Sequence, residues 1–437
     1  MKLRPDICRE NAVPQGVTDF LPEQAERIGF IESKLNSTFE LWGFRKIIPP
    51  LLEFEDLLAI GMDDSLREKS FRFEDRQSHR MLAIPPDITP QVARIESMRM
   101  GGYPLPHRLY YNGRVLRHVQ SQSGRSREIF QAGVELIGLD SPEADAEMIA
   151  MSVEVLRELG FARFKIDLGQ VEFFRGIMDV AALDEATALQ LQQSIARKDV
   201  SAVKATLDLI DIPTSVKDEI IALPRMFGGT EVLASAAATV RNERSRRALD
   251  NLAQVVEILA IHGIRDELTI DLGEIRGLAY HSGVTFEGFV SDLGQPVCGG
   301  GRYDGLMGRY GRELPATGFA FNLLGLLQGL EKSSAGKRSA EPSLLVFNMK
   351  GDRSEALELA ALLRRQGCAV TRDIIRRDFD LSLEYARRTG IGFIIIIGAD
   401  EAKESEIQLV RVADGSRRTV SKNELMATDS AVIFRNW

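Results

Sequence analysis

The segment RGLAYHSGVTFEGF places Arg276, Tyr280 and His281 within six residues, and VCGGGRYDG follows it with Arg302, Tyr303 and Asp304 behind three consecutive glycines. An arginine gives charge-assisted hydrogen bonds to a carboxylate or phosphate, while tyrosine and histidine give neutral donors or acceptors. No Lys-Ser/Thr follows the glycines, so they do not form a phosphate loop of the Walker type. Upstream, PPDIT carries Asp87 and Thr89. Gln131 and Glu135 lie two strand periods apart in FQAGVELIG, which puts both side chains on one face of a strand. Acids for an ammonium, arginine for a carboxylate and hydroxyls for orientation make a set suited to a small zwitterion. Taken singly, each residue has a plainer reading. Arg276 pairs with Glu274 or Glu287, His281 is a hydrogen-bonded structural residue, and Tyr303 is a turn aromatic.

The elements that must position these residues follow from periodicity. PEQAERIGFIESKLNSTFELWGF has apolar residues at helical spacing and ends at Gly43, a C-terminal glycine. RKIIPPLLEFEDL reads as one strand interrupted by Pro49 and Pro50, which belongs at an edge or a strand end, and SFRFEDRQSHRMLAIPPDITP as a hairpin turning at DRQSHR. TPQVARIESMRMG is a helix capped by Thr89, and SPEADAEMIAMSVEVLRELG one capped by Ser141 and closed by Gly160. FKIDLG and LTIDLG are near-copies with strand patterning, and the mostly helical stretch of about 180–262 between them reads as an insertion within one sheet. Its RNERSRR run, from Arg241, reads as a solvated helix face. The polar stretch 331–342 reads as a linker, and 343–437 as a small βαβαβ domain with a mostly parallel sheet.

Composition bounds the function. The chain has 437 residues, 44% of them apolar, and a net charge of −8, which fits two or three domains and argues against an overall basic surface for nucleic acid. Three scattered cysteines, Cys8, Cys298 and Cys368, fit a reducing compartment, and neither they nor the five histidines have metal-site spacing. MKLRPDICREN has no apolar signal core and FIIIIGA is too short to span a bilayer, so the expected location is the cytoplasm, with no membrane contact, metal or cofactor.

Beside this reading stands a resemblance. QGVTDFLP, GFRKIIPPLLE, FRFEDR, PPDIT, RSREIFQAGVELIG, RGLAYHSG, GGGRYDG and GFAFNLLGLL, in this order, resemble the motifs of histidyl-tRNA synthetases over almost the whole chain. The resemblance implies an α+β fold: a class II synthetase-like antiparallel sheet of six or seven strands flanked by helices (residues 1–330), commonly dimeric, with an anticodon-binding-like tail. By position, it implies that Asp87, Thr89, Arg117, Gln131, Glu135, Arg276, His281 and Tyr303 line a histidine-like pocket. Asp87 replaces a glutamate that grips the substrate amine, and His281 a tyrosine that meets the imidazole.

The nucleotide end departs from that pattern. A glutamate that seats adenine is replaced by Val119, and the Glu-Arg pair of the third motif by Leu324 and Gly325; in the amino-acid pocket, an aspartate beside the tyrosine pair is replaced by Ala279. Losing one positioned transition-state donor costs on the order of 10²–10³ in rate, so adenylation is expected to be negligible and no catalytic residue is assigned. This pattern resembles the synthetase paralogue that serves as regulatory subunit of ATP phosphoribosyltransferase. That resemblance implies a non-catalytic partner of the short catalytic subunit, with feedback by free histidine and no tRNA. That family commonly lacks the tail, which this chain carries. The alternative is a histidine-tRNA ligase with an atypical nucleotide site.

Overall fold

The structure is a computed structural model that describes residues 13–118, 126–273, 280–332, 343–349, 353–375, 378–399, 406–426 and 433–434. The chain divides into two compact units, residues 1–336 and 337–437.

The first unit is built on a nine-stranded sheet. Its centre is six antiparallel strands in the order His107–Leu116, Glu128–Ile137, Ala316–Asn322, Cys298–Arg302, Val284–Val290 and Phe164–Gln170. Short strands extend both ends. Arg45–Lys46 adds parallel to His107–Leu116; Leu268–Asp271 adds parallel to Phe164–Gln170 and carries Phe227–Gly228 beyond it. The implied six or seven antiparallel strands therefore hold for the centre, and short peripheral pairings make the sheet mixed. RKIIPPLLEFEDL is not one strand. It leaves the large sheet after Lys46, and Glu53–Phe54 joins a separate three-stranded sheet with the hairpin Phe71–Glu74 and Met81–Ile84. Pro49 and Pro50 lack the N–H groups that a continuous ladder needs.

Strand alternation separates two environments. Tyr110 and Val134 point into the main core, where Ile31, Leu35 and Phe39 of helix Pro22–Leu41 meet Met148 and Ile149 of helix Pro142–Glu158. Tyr111, one residue on, faces the opposite side with Val92, Ala93 and Tyr303. Helix Pro142–Glu158 starts as the sequence indicates. The Ser141 hydroxyl accepts from the Ala144 N–H at 3.3 Å. Pro142 occupies the first turn, where its missing N–H costs nothing. Past their helices, Gly43 takes φ of 81° and Gly160 φ of 85°. Glycine adopts that region without steric cost.

Between Phe164–Gln170 and Leu268–Asp271 the chain is mostly helical, broken by the short strand Phe227–Gly228, and the longest of these helices is Glu243–Ile261. In the second unit, strands Ser343–Asn348, Ala369–Arg372 and Phe393–Ile397 pair in parallel, with helices Ser354–Arg365 and Phe379–Arg388 as crossovers. Glu406–Arg411 and Arg417–Ser421 then add antiparallel, so two of the four pairings are parallel rather than most.

Candidate functional site

A cavity of about 360 Å³ opens over the middle of the large sheet. It exists because the strands there carry little side-chain bulk. A Cβ on Gly318 would lie 1.9 Å from Glu135 Oε2, and one on Gly300 would lie 2.1 Å from the Gly318 carbonyl oxygen. The glycine run at Gly299 thus serves as floor, not as a phosphate cradle.

Glu135 is the hub. Strand Glu128–Ile137 turns it onto the cavity side, where it is 1% exposed. Thr89 Oγ1 donates to Oε1 at 2.8 Å, Tyr111 donates to the same oxygen at 3.3 Å, and Tyr303 donates to Oε2. Burial pushes the Glu135 carboxyl up to about 8 against the three hydroxyl donors, because removing a carboxylate from water outweighs them. Burial also raises the Tyr111 and Tyr303 hydroxyls well above their ordinary value, so both remain donors. Thr89 is not the helix cap read from the sequence. Helix Thr89–Arg99 begins at it, the cap position is Ile88, and its hydroxyl goes to Glu135 instead.

Asp87 gathers a second cluster. Its Oδ1 accepts the Thr89 N–H at 3.1 Å and Gln131 Nε2 at 3.4 Å, and Arg117 Nη2 reaches Oδ2 at 3.0 Å. Arg117 Nε also donates to the Pro86 carbonyl at 2.8 Å, so the guanidinium braces the Asp87 loop and does not line the cavity. Gln131 Oε1 accepts the Ile88 N–H at 3.3 Å.

His281 lines the cavity beside Tyr280, with ring centroids 5.2 Å apart. Burial lowers its imidazole to about 4, so the ring is neutral near pH 7, and Nδ1 has no partner among the described residues. Arg276, Ala279 and Val119 lie outside the described residues. Arg302, one residue from Tyr303, faces away from the cavity. It bonds Asp145 at 3.0 Å and Asp304 at 3.2 Å, and ties the strand end to the start of helix Pro142–Glu158 through the Ser141 carbonyl at 3.3 Å.

The cavity's charge was not foreseen. Asp63, Asp87, Glu135, Asp167, Asp271 and Glu287 line it, and Lys69 is the one lysine or arginine among the described lining residues. The signal for Asp167 and Asp271 was the FKIDLG/LTIDLG repeat. Asp167 pairs with Thr269, two residues before Asp271, so both acids share a face. Tyr111 left only a Tyr-Tyr pair, whose inward member depends on register. Among the described residues no group of three or more His, Cys, Asp or Glu is placed to hold a metal ion.

At the third-motif position the helix Leu323–Lys332 starts on Asn322, whose Oδ1 accepts the Leu324 N–H at 3.2 Å and the Gly325 N–H at 3.4 Å. Leu324 packs on the main core. Neither residue brings a charge to the cavity. Among the described residues that line the cavity there is no arginine to hold phosphates.

A six-stranded antiparallel centre with Glu135, Thr89 and Tyr303 around one cavity, and Tyr111 bonded to Glu135, defines a histidyl-tRNA synthetase-like protein. Residues 16–326 match the family Histidyl-tRNA synthetase, and residues 343–428 match Anticodon binding domain. The chain is 58% identical over 418 residues to the ATP phosphoribosyltransferase regulatory subunit of Geobacter sulfurreducens, covering 96% of this chain and 95% of that one. It is 59% identical over 420 residues to the protein of the same name from Geobacter metallireducens, covering 96% and 97%. These relationships place the chain in the family of ATP phosphoribosyltransferase regulatory subunits. A solved structure described as an ATP phosphoribosyltransferase regulatory subunit/histidyl-tRNA synthetase from Bacillus halodurans superposes with a TM-score of 0.75 at 29% identity, over 85% of this chain and 96% of that one. The histidyl-tRNA synthetase of Nostoc shares the fold, with a TM-score of 0.82 at 22% identity over 98% and 99%. With 96% of the chain aligned, the match to the Geobacter proteins runs into the C-terminal unit, so the tail is shared with these relatives. Among the described residues no helix is long and apolar enough to cross a membrane.

Proposed function

We propose that this chain is the non-catalytic regulatory subunit of ATP phosphoribosyltransferase, which activates the short catalytic subunit in histidine biosynthesis and carries feedback by free histidine. The carrying observation is the composition of the cavity. The Glu135 hub and the Asp87–Gln131–Thr89 cluster supply partners for a cationic or zwitterionic ligand, while the five carboxylates besides Glu135, against Lys69, oppose a triphosphate. On this reading Asp87, Thr89, Gln131, Glu135, His281 and Tyr303 meet histidine, Arg117 acts by bracing Asp87, and the resemblance adds Arg276 to the histidine-binding set. The protein works in the cytoplasm as a dimer of the 1–330 core, joined by 331–342 to the 343–437 domain. It needs neither metal nor cofactor and does not bind tRNA.

The alternative, a histidine-tRNA ligase with an atypical nucleotide site, differs in one measurable respect. Histidine-dependent pyrophosphate–ATP exchange is expected to be absent, whereas phosphoribosyl-ATP formation by the catalytic subunit is expected to require this chain. Exchange at synthetase level, or a catalytic subunit fully active alone, refutes the proposal. Calorimetry locates the ligand. Charged hydrogen bonds contribute roughly 1.5–3 kcal/mol, so Glu135→Ala is expected to weaken histidine binding about tenfold or more. Equal binding by that variant and the parent places the histidine site elsewhere.

A further inference from the structure

We propose that Lys198 is a positioning residue that couples the helical segment to the ligand cavity through Asp271; this rests on the reading that free histidine occupies that cavity. Lys198 follows helix Glu185–Ala196 with φ of 57°. That is a left-handed backbone, uncommon outside glycine. Its N–H still closes the helix end on the Ile195 carbonyl at 2.9 Å. From there the ammonium reaches both oxygens of Asp271, at 2.5 and 2.7 Å. Asp271 is a lining residue at the end of strand Leu268–Asp271, and its side chain is 13% exposed.

The surroundings make this contact a joint rather than a surface pair. Asp271 Oδ1 also accepts the Gly273 N–H at 3.0 Å, which fixes the carboxylate against its own turn. That turn is wedged into the helical segment. Leu272 donates its N–H to the Met226 carbonyl at 3.0 Å, and a Cβ on Gly273 would lie 2.8 Å from the Leu223 carbonyl oxygen. Phe227 pairs with Asp271 in the sheet, and Lys198 Nζ stands 5.8 Å from the Phe227 ring centre. One carboxylate therefore belongs at once to the cavity wall, to a turn packed under the helices and to a lysine at a helix end. A ligand ammonium that approaches the Asp167–Asp271 wall competes for the charge that Lys198 neutralises. Binding and the seating of helix Glu185–Ala196 are linked thermodynamically by that competition, and the linkage acts in both directions.

Amide hydrogen exchange on the full-length chain, with free histidine as probe and calorimetry in parallel, tests this. In the parent, histidine is expected to protect residues 131–135 and to speed exchange at residues 185–208, the latter by on the order of tenfold, which is about 1.4 kcal/mol. Lys198→Met is expected to keep protection at 131–135 and lose the histidine-dependent change at 185–208, and Lys198→Arg to restore that change. Should Lys198→Met fold poorly, Asp271→Asn is expected to uncouple the same two regions. A histidine-dependent change at 185–208 that persists in a folded Lys198→Met or Asp271→Asn chain, or a parent that responds only at 131–135 or is protected at 185–208, overturns the role of Lys198 and leaves the histidine reading intact. A parent that gives neither heat nor protection overturns the histidine reading itself, and the coupling with it.

Discussion

Replacing Glu135 by glutamine keeps the side chain's shape and an oxygen acceptor for the hydroxyls, and removes its proton equilibrium. In the folded chain that equilibrium lies at about 8, against an ordinary 4.5, because burial disfavours the carboxylate. Between those values the folded state holds a proton that the unfolded state has released. Stability from this group is therefore fully present below about pH 4.5 and is lost as pH rises through about 8. At about 1.4 kcal/mol per pH unit, the loss between about pH 5.5 and 7.5 is roughly 3 kcal/mol, and the whole window is bounded at about 4–5 kcal/mol. Glu135→Gln lacks this slope, so its stability relative to the parent is expected to rise with pH by that amount. The assay is urea unfolding of both chains across the range, with midpoint and slope compared at each pH. Parallel pH profiles refute the reasoning, since they mean that the Glu135 carboxyl ionises alike in the folded and unfolded states.

Gly318→Ala sets a methyl group 1.9 Å from Glu135 Oε2, so the carboxylate must leave its three donors. The expected result is a loss of about 1–3 kcal/mol in stability from overpacking, and histidine binding too weak to register by calorimetry. Arg302→Met strands Asp145, which is 2% exposed, without its cation. A broken buried pair costs about 3–5 kcal/mol, so the melting temperature is expected to fall while residual histidine affinity at low temperature is unchanged. A loss of affinity in a folded Arg302→Met chain would instead make Arg302 part of the site.

The division of labour between Arg302 and Tyr303 shows what was legible in the sequence. Both stand in GRYDG and both suit a polar ligand, yet only Tyr303 lines the cavity. Gln131 and Glu135 were placed correctly on one face because strand alternation is local. Thr89 was misjudged for the same local reason: a threonine before a helical run satisfies the capping pattern, and only the distant Glu135 draws its hydroxyl elsewhere. Tyr111 and Glu287 join the site through cross-strand register, which one strand's pattern does not contain. The Pro49–Pro50 interruption was read, but not the change of sheet that follows it, since choosing a partner strand is a tertiary decision.

The cavity's acidity and the apolar third motif are two sides of one physical change. A site that holds a triphosphate needs cations to offset its charge, and those cations would also hold nearby carboxylates in their ionised form. Here Leu324 packs on the core and Gly325 presents only backbone, so neither supplies that charge. Asp63, Asp87, Asp167, Asp271 and Glu287 then stand around a carboxyl that burial already drives toward its protonated form. A ligand with an ammonium relieves both costs at once, supplying positive charge to the wall and favouring ionised Glu135. Its binding therefore releases a proton near neutral pH, a consequence that a site built around a bound nucleotide would not share.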